Sequence, residues 1–231
     1  MNKFAGKLTV LMGAATMTVA TTGLSGCASM NNKERGATIG VGTGAAIGAV
    51  IGKNTGSTAR GAILGAVVGG AAGAIIGHQM DQQAKDIETA VPGATVERVG
   101  EGIAVSFPSG ILFPFNSSAV MPAGRENLGR LAGILQRNPG SSVLVVGHTD
   151  NVGGDAFNMN LSMQRAQAAA QYLQSAGVAA GRIRTEGRGE SEPIDTNATE
   201  SGRARNRRVE VAIFASEQYR QQILNEAGRS Q

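Results

Sequence analysis

Along the C-terminal half of the chain, apolar and polar residues alternate as they do in short strands separated by helices. Two alternating segments on either side of Gly100 and Glu101 predict a β-hairpin, and a later run that is apolar on both sides predicts an interior strand. The predicted extended segments are residues 95–99, 102–107, 111–115, 142–147, 183–187 and 208–214.

Three further segments have helical periodicity. The first begins at Pro122 and ends near Asn138, the second covers about residues 158–175, and the third forms a C-terminal helix and tail at residues 216–231. The predicted buried face of the second helix is Met159, Met163, Ala166, Ala170 and Leu173. This order of elements predicts an α/β domain over residues 93–215, a two-layer fold in which helices pack on a mixed sheet.

A different pattern, one glycine at every fourth residue, covers residues 36–77. Glycine stands at positions 36, 40, 44, 48 and 52, and again at 61, 65, 69, 73 and 77. Glycines four apart share one helix face, on which a second helix can lie closely, and no charge interrupts either series. We therefore predict a glycine-zipper hairpin of two membrane helices, each 17 residues long, followed by a linker at residues 78–92, of which residues 78–90 could instead be a helix.

Two alternatives for the glycine series stay open. One is a flexible Gly/Ala linker, although random glycine-rich sequence would not keep a period of four twice. The other is a soluble zipper that self-associates into a homo-oligomer in the periplasm. His78, at the end of the second series, is interpreted as an interfacial residue because no other metal-ligating side chain accompanies it.

The first 26 residues have the form of an export signal. Lys3 and Lys7 precede an uncharged apolar run that ends at Leu24, and an uncleaved membrane helix is the alternative. The sequence Leu24-Ser25-Gly26-Cys27 resembles the bacterial lipobox. The resemblance implies cleavage before Cys27, acyl chains on that cysteine and, since no Asp follows it, passage to the outer membrane. Residues 27–35 are then an acylated linker.

Composition and charge exclude several classes of function. The net charge is +4, and residues 93–231 carry 14 Arg against 13 Asp and Glu, so the one-sided basic charge that nucleic-acid binding needs is absent. The single cysteine excludes an internal disulfide. The sequence shows no metal-ligand cluster, no cofactor motif and no nucleophile paired with a base. We therefore predict no metal, no cofactor and no enzymatic activity.

Polar residues that could bind a ligand gather where the predicted interior strand ends. Asp150 follows that strand, and Asn158 and Arg165 lie seven apart on one face of the next helix. Arg203 and Arg207 lie four apart before the last strand. A carboxylate among guanidinium groups suits a zwitterion, because Asp binds ammonium and Arg binds carboxylate through paired hydrogen bonds.

Residues 111–214 resemble the peptidoglycan-binding domain of the outer-membrane protein A family. The motifs are Gly147-His148-Thr149-Asp150, Asn158-Met159-Asn160-Leu161-Ser162-Met163-Gln164-Arg165-Ala166, Gly202-Arg203 and Asn206-Arg207-Arg208-Val209. The resemblance implies that the ligand is the diaminopimelate of the peptide stem, with its amino group on Asp150 and its carboxylate on Arg165. It also implies a pocket lined by Asn116, Asn158, Leu161 and Arg207. Val152 departs from the family pattern, where Ser or Thr is common.

Together these features predict an outer-membrane lipoprotein whose periplasmic domain binds peptidoglycan and ties the membrane to the wall. The alternatives are an oligomeric zipper assembly or channel that uses the wall domain only as a tether, and a wall hydrolase, for which a nucleophile is missing. Single residues also have simpler interpretations. Asp150 could only cap the loop that follows it, and Arg165 could be a solvated helix charge. Arg208 and Glu210 are interpreted as surface residues, and His148 as a packing residue.

Overall fold

The computed structural model describes residues 56–229 of the chain. The predicted export signal, Cys27, the acylated linker and the first glycine series lie outside the described residues, so those expectations stay predictions. The second glycine series and the whole of the predicted α/β domain lie within them.

Five strands form one mixed sheet. They are β1 (Thr95–Val99), β2 (Gly102–Pro108), β3 (Ser141–Gly147), β4 (Ile183–Gly187) and β5 (Arg208–Ala215). Their order across the sheet is β1-β2-β5-β3-β4, with β3 and β4 parallel and every other pair antiparallel. The hairpin turn between β1 and β2 is Gly100-Glu101, where Gly100 has φ +53°, a conformation that favours glycine.

Helices precede, connect and follow these strands. They are α1 (Thr58–Gly65), α2 (Gly70–Ala90), the single turn α3 (Ser109–Leu112), α4 (Pro122–Arg137), α5 (Asp155–Ser175), α6 (Glu200–Asn206) and α7 (Glu217–Arg229). A short 3-10 helix, Ala180–Arg182, leads into β4. Pro122 stands in the first turn of α4, where its missing N–H leaves no helical hydrogen bond unmade.

The main core lies between one face of the sheet and the long helices. Alternate residues of the interior strands point to this face, and helices α2, α4, α5 and α7 cover it. The strand residues in this core are Ile103, Val105, Phe107, Val143, Val145, Val209, Val211 and Ile213. The predicted α/β class, a mixed sheet packed by helices, is therefore confirmed.

The opposite face of the sheet is also covered, by α1. Ala59 and Ile63 of this helix pack on Leu144, Val146 and Ala212, which are the residues of β3 and β5 that point away from the main core. The domain therefore has three layers at this point, where the sequence predicted two.

The second glycine series forms two helices packed on this domain. α1 ends at Gly65, and after a break Gly69 and Gly70, with φ +74° and +62°, lead into α2. Only glycine adopts such angles without strain. The predicted uninterrupted helix over residues 61–77 is therefore wrong. Several of its apolar residues, among them Ile63 and Ile76, are buried in the α/β domain itself.

Glu101, in the hairpin turn, fixes the start of α2. Its carboxylate accepts hydrogen bonds from the backbone N–H groups of Val68 and Gly69, at 2.8 and 2.7 Å. The helix dipole also favours a negative charge at this end. A Cβ on Gly73 would collide with the Glu101 carboxylate, so this position of the repeat needs glycine for close approach to the hairpin.

The segment at residues 78–92, interpreted as a linker or partly a helix, is largely helical, because α2 continues to Ala90. Two further expectations need correction. The predicted extended segment at residues 111–115 overlaps the helical turn α3. On α5, Met159 is exposed, whereas Asn158, Ser162 and Arg165 face inward with Ala166. Asn158 and Arg165 face a cleft described below, and Ser162 packs against the strand ends, so apolar periodicity could not reveal these inward positions.

Among residues 56–229, no helix combines the length and the apolar character needed to cross a membrane.

We expect Ile63→Ala to lower the free energy of unfolding by about 2–4 kcal/mol, because the side chain is 1% exposed and its loss leaves a cavity under α1. The matched control is Ile75→Ala on α2, which is 47% exposed and should change stability by less than about 0.5 kcal/mol. Urea unfolding of the purified full-length protein measures both. Equal stability of the two variants would show that α1 is not packed on the sheet.

Candidate functional site

The candidate site lies where β3 and β4 end beside the first turns of α5. Glycines end both strands, and a Cβ on Gly147 would collide with the carbonyl of Ser162. At Gly187 a Cβ would lie 2.7 Å from the backbone nitrogen of Met163. The two glycines let α5 lie directly against the strand ends, which brings its polar face to the loop that follows β3.

Asp150 stands in this loop with its carboxylate turned inward. One oxygen, Oδ1, accepts the backbone N–H of Val152 at 3.0 Å, and Oδ2 accepts Nη1 of Arg207 at 2.5 Å. The residue caps its loop, as one interpretation of the sequence held. The same carboxylate also forms an ion pair with Arg207, so capping the loop is not its only interaction.

Arg165 projects from α5 into the site and is only 4% exposed, so its interpretation as a solvated helix charge is wrong. Its Nε donates to the carbonyl of Ser117 at 2.9 Å, and its guanidinium lies 5.6 Å from the ring centroid of Phe113. Burial, together with the charge of Arg207, lowers the pKa of Arg165 despite the nearby carboxylate of Asp150. A buried guanidinium held by a carbonyl and an aromatic face retains donors for an anionic ligand.

Arg207 links the loop to α6. Its Nη1 donates to Asp150 and its Nη2 donates to Glu200 at 2.7 Å, while Arg203 donates to the other oxygen of Glu200 at 2.8 Å. Burial lowers the pKa of Arg207, but the hydrogen bonds that it donates to the carboxylates of Asp150 and Glu200 outweigh burial and leave the pKa raised. The hydrogen bonds from Arg207 and Arg203 hold the pKa of Glu200 below its ordinary value.

Asn206 places Arg207 at the end of α6. Its side chain is fully buried, and Oδ1 accepts the backbone N–H groups of Ile194 and Asp195 at 2.9 and 3.0 Å. These bonds hold the loop between β4 and α6 against the start of β5. In the motif Asn206-Arg207, the buried amide therefore holds the loop in place and the next residue places its guanidinium in the lining of a cleft.

These side chains line one open cleft with a volume of about 420 Å³. It contains all six residues that the sequence predicted to bind the ligand: Asn116, Asp150, Asn158, Leu161, Arg165 and Arg207. The structure brings them together, although their sequence positions span more than half of the domain. Asn158 donates to Glu190 at 2.6 Å, and Asn116 has φ +53°, a conformation that Asn tolerates better than most residues.

Sequence reasoning missed the apolar rim of the cleft and one of its acids. Phe115 is 91% exposed, and Phe157 and Val152 are also exposed on the same rim. Glu200 lines the cleft as the partner of two arginines. Phe115 follows Phe113 by two residues in an apolar segment, so the sequence alone could not tell which of the two aromatic rings is buried.

The charged residues that line the cleft suit the binding of a zwitterionic ligand. Three guanidinium groups, from Arg165, Arg203 and Arg207, face two carboxylates, from Asp150 and Glu200. Such a set holds carboxylate and ammonium groups by charge-assisted hydrogen bonds. Within residues 56–229, no group of three or more His, Cys, Asp or Glu side chains is placed to hold a metal ion.

Two family models match the chain. The model described as the OmpA family covers residues 112–207, and the YMGG-like Gly-zipper covers residues 7–81. The probable lipoprotein YiaD of Escherichia coli (strain K12) is 38% identical over 199 residues, which cover 82% of this chain and 91% of that protein. The chain belongs to the OmpA family.

Two further relatives share the α/β domain. The peptidoglycan-binding protein ArfA of Mycobacterium tuberculosis (strain ATCC 25618 / H37Rv) is 44% identical over 103 residues, 45% of this chain and 32% of that protein. The solved structure of the cell wall anchor of the T6SS from Pseudomonas aeruginosa is 36% identical, with a TM-score of 0.52 over 59% of this chain and 97% of that one. The similarity to ArfA thus concerns about a third of that protein.

In this OmpA-family protein His148 points away from the cleft, into the opposite face of the sheet. Burial, followed by the charges of Arg208 and Arg188, lowers its pKa from 6.5 to about 3, although Glu210 opposes the shift. The ring is therefore neutral at physiological pH. Arg208 and Glu210 are buried beside it, so their interpretation as surface residues is wrong, because α1 covers this face.

We expect the neutral His148 to make the fold acid-sensitive. A pKa lower in the folded state than in the unfolded state contributes stability that is full above pH 6.5 and is lost as the pH falls towards 3, on the order of 4 kcal/mol in all. His148→Gln should flatten the pH dependence of unfolding over that window. The control Ile75→Ala alters an exposed residue of α2 that has no titratable group and should leave the slope unchanged. The same slope in His148→Gln and the unaltered protein would contradict the assignment.

Proposed function

We propose that the chain is an outer-membrane lipoprotein whose α/β domain binds peptidoglycan through the diaminopimelate of the stem peptide, without catalysis. The domain would then tether the outer membrane to the cell wall. The observation that carries the proposal is the buried Arg165, whose guanidinium faces the cleft with a carbonyl and an aromatic ring as its partners. The relative named as a peptidoglycan-binding protein and the solved cell wall anchor support it.

The chemistry of the cleft suits the free end of diaminopimelate. That end carries an ammonium and a carboxylate on one carbon, so the two groups must meet opposite charges that lie close together. Arg165 would bind the carboxylate through its free donors. Asp150 would accept the ammonium on the oxygen that Arg207 occupies, while Glu200 keeps its hydrogen bond to Arg207. Asn116, Asn158 and Leu161 would line the remaining length of the ligand.

The apolar rim would contact the uncharged parts of the stem. Val152 stands where relatives of the family often have a hydroxyl, and the structure places it exposed at the rim. A missing hydroxyl there removes one hydrogen bond, worth about 1 kcal/mol, and leaves both charged contacts intact.

The second part of the proposal is the anchor. Acyl chains on Cys27 would hold the chain in the outer membrane, with residues 56–229 in the periplasm. A tether needs only this anchor and the wall-binding cleft. An oligomeric zipper assembly would need the second glycine series as a free helix, and the structure packs residues of that series, such as Ile63 and Ile76, into the domain. We therefore propose the tether.

We expect Arg165→Ala to weaken binding of free diaminopimelate by about 30- to 100-fold, the effect of losing a charge-assisted contact in a desolvated site. Arg165→Lys should weaken it less, because the charge remains without the paired hydrogen bonds. Arg184→Ala, an exposed arginine on β4, is the control with unchanged affinity. Calorimetric titration and co-sedimentation with purified sacculi measure the effect. Unchanged binding by Arg165→Ala would exclude this cleft as the wall-binding site.

For the anchor, we expect the chain to incorporate labelled palmitate in cells and Cys27→Ser to abolish that label, because the thiol is the attachment point. Ser29→Ala, two residues away, should be labelled normally. Labelling that persists in Cys27→Ser would show that the anchor lies elsewhere in the chain.

A further inference from the structure

A cluster of charged residues is buried on the face of the sheet opposite the cleft. His148 is fully buried, and Arg208 and Glu210 of β5 are nearly so. Nε of Arg208 donates to Oε1 of Glu210 at 2.7 Å, and Nη2 of Arg208 donates to the carbonyl of Glu192 at 3.1 Å. Charged groups at this depth are stable only while each keeps a partner and water stays excluded.

The first residues of α1 close this cluster. Ser57 donates from Oγ to Oε2 of Glu210 at 2.8 Å, and Thr58 donates from its backbone N–H and its hydroxyl to Glu192 at 3.0 and 2.6 Å. We call these three hydrogen bonds the latch. Ser57 is also the N-cap of α1, since its Oγ accepts the N–H of Arg60 at 3.2 Å. The latch therefore joins the start of α1 to Glu210 of β5 and to Glu192 in the loop after β4.

The latch connects directly to the ligand-binding loop. The carboxylates it holds lie 3.9 and 3.8 Å from the two ring nitrogens of His148, and neither nitrogen has a hydrogen-bond partner among the described residues. The ring is thus fixed by packing between Glu192 and Glu210. Two residues after His148 comes Asp150, and one residue before Arg208 comes Arg207, the partner of Asp150. The backbone N–H of His148 donates to the carbonyl of Arg208 at 2.9 Å.

The described part of the chain begins at residue 56, immediately before Ser57. Opening the latch would remove the hydrogen bonds that Ser57 and Thr58 donate to Glu210 and Glu192, leaving Glu210 its bond from Arg208, and would admit water beside the His148 ring. The loop that carries Asp150 would then lose the packing that orients it.

We propose that Ser57 and Thr58 are positioning residues for the wall-binding cleft. The latch holds the His148–Asp150 loop in its ligand-binding geometry, and displacement of α1 from the sheet weakens ligand binding. This inference rests on the proposed function of the cleft. The affinity of the domain for the wall then depends on how α1 packs on the sheet.

Thr58→Val tests the latch, because it removes the hydroxyl that donates to Glu192 and keeps the shape of the side chain. We expect about 5- to 10-fold weaker binding of free diaminopimelate, the effect of one lost hydrogen bond to a charged group. In the ligand-free full-length protein, amide hydrogen exchange should quicken at residues 148–152 without a general increase. Thr58→Ser keeps the hydroxyl and should restore both readouts. Thr89→Val, which removes an exposed hydroxyl on α2, should change neither.

The two proposals fail in different ways. If the unaltered protein does not bind diaminopimelate, the proposed function fails, and hydrogen exchange of the ligand-free protein still decides on the latch. If Thr58→Val leaves exchange at residues 148–152 unchanged, or quickens it uniformly over the domain, the latch does not position the loop. If local exchange quickens and the affinity stays the same, coupling to the cleft is excluded.

Discussion

The structure depends on one constraint: the interior strands β3 and β5 carry apolar residues on both faces, with the ion pair of Arg208 and Glu210 beside them on one face, so both faces of the sheet must be shielded from water. The long helices cover the face that bears Val145 and Val211. The other face bears Leu144 and Ala212, and α1 covers it. At about 25 cal/mol per Å² of apolar surface, leaving that face open would forfeit several kcal/mol, a large part of the stability of an ordinary domain. The second glycine series is therefore part of the fold.

The same constraint explains where sequence reasoning succeeded and where it failed. Strand alternation gave the sheet correctly, because the period of two in segments such as residues 208–214 does not depend on what covers the strand. The glycine period of four in residues 61–77 is compatible with two structures. One is a membrane helix, and the other is helices packed closely on a sheet. The break at Gly69 depends on Glu101, more than thirty residues away in sequence. No local pattern contains that contact, and for the same reason Glu210 was mistaken for a surface residue.

The candidate site was easier to predict than its surroundings. Asp150 and Arg165 stand at the end of a strand and on one helix face, so their approach follows from topology and helical spacing. The resemblance to the family supplied Asn116 and Leu161. The exposed ring of Phe115 and the acid Glu200 were missed, because exposure and ion pairing are properties of the folded chain. The structure adds that Arg207 already pairs with Asp150, so a ligand ammonium must share or displace that partner.

The central claim is that the cleft recognises an ammonium and a carboxylate on one carbon, with Asp150 and Arg165 as their partners. The most direct measurement is competition for binding to purified sacculi between free diaminopimelate and 1,5-diaminopentane. Diaminopentane has the same two amino groups at the same spacing and lacks both carboxylates, including the group assigned to Arg165. The account predicts that diaminopimelate releases the protein from sacculi and that diaminopentane at the same concentration does not. Equal release by both, or release by neither, would contradict it.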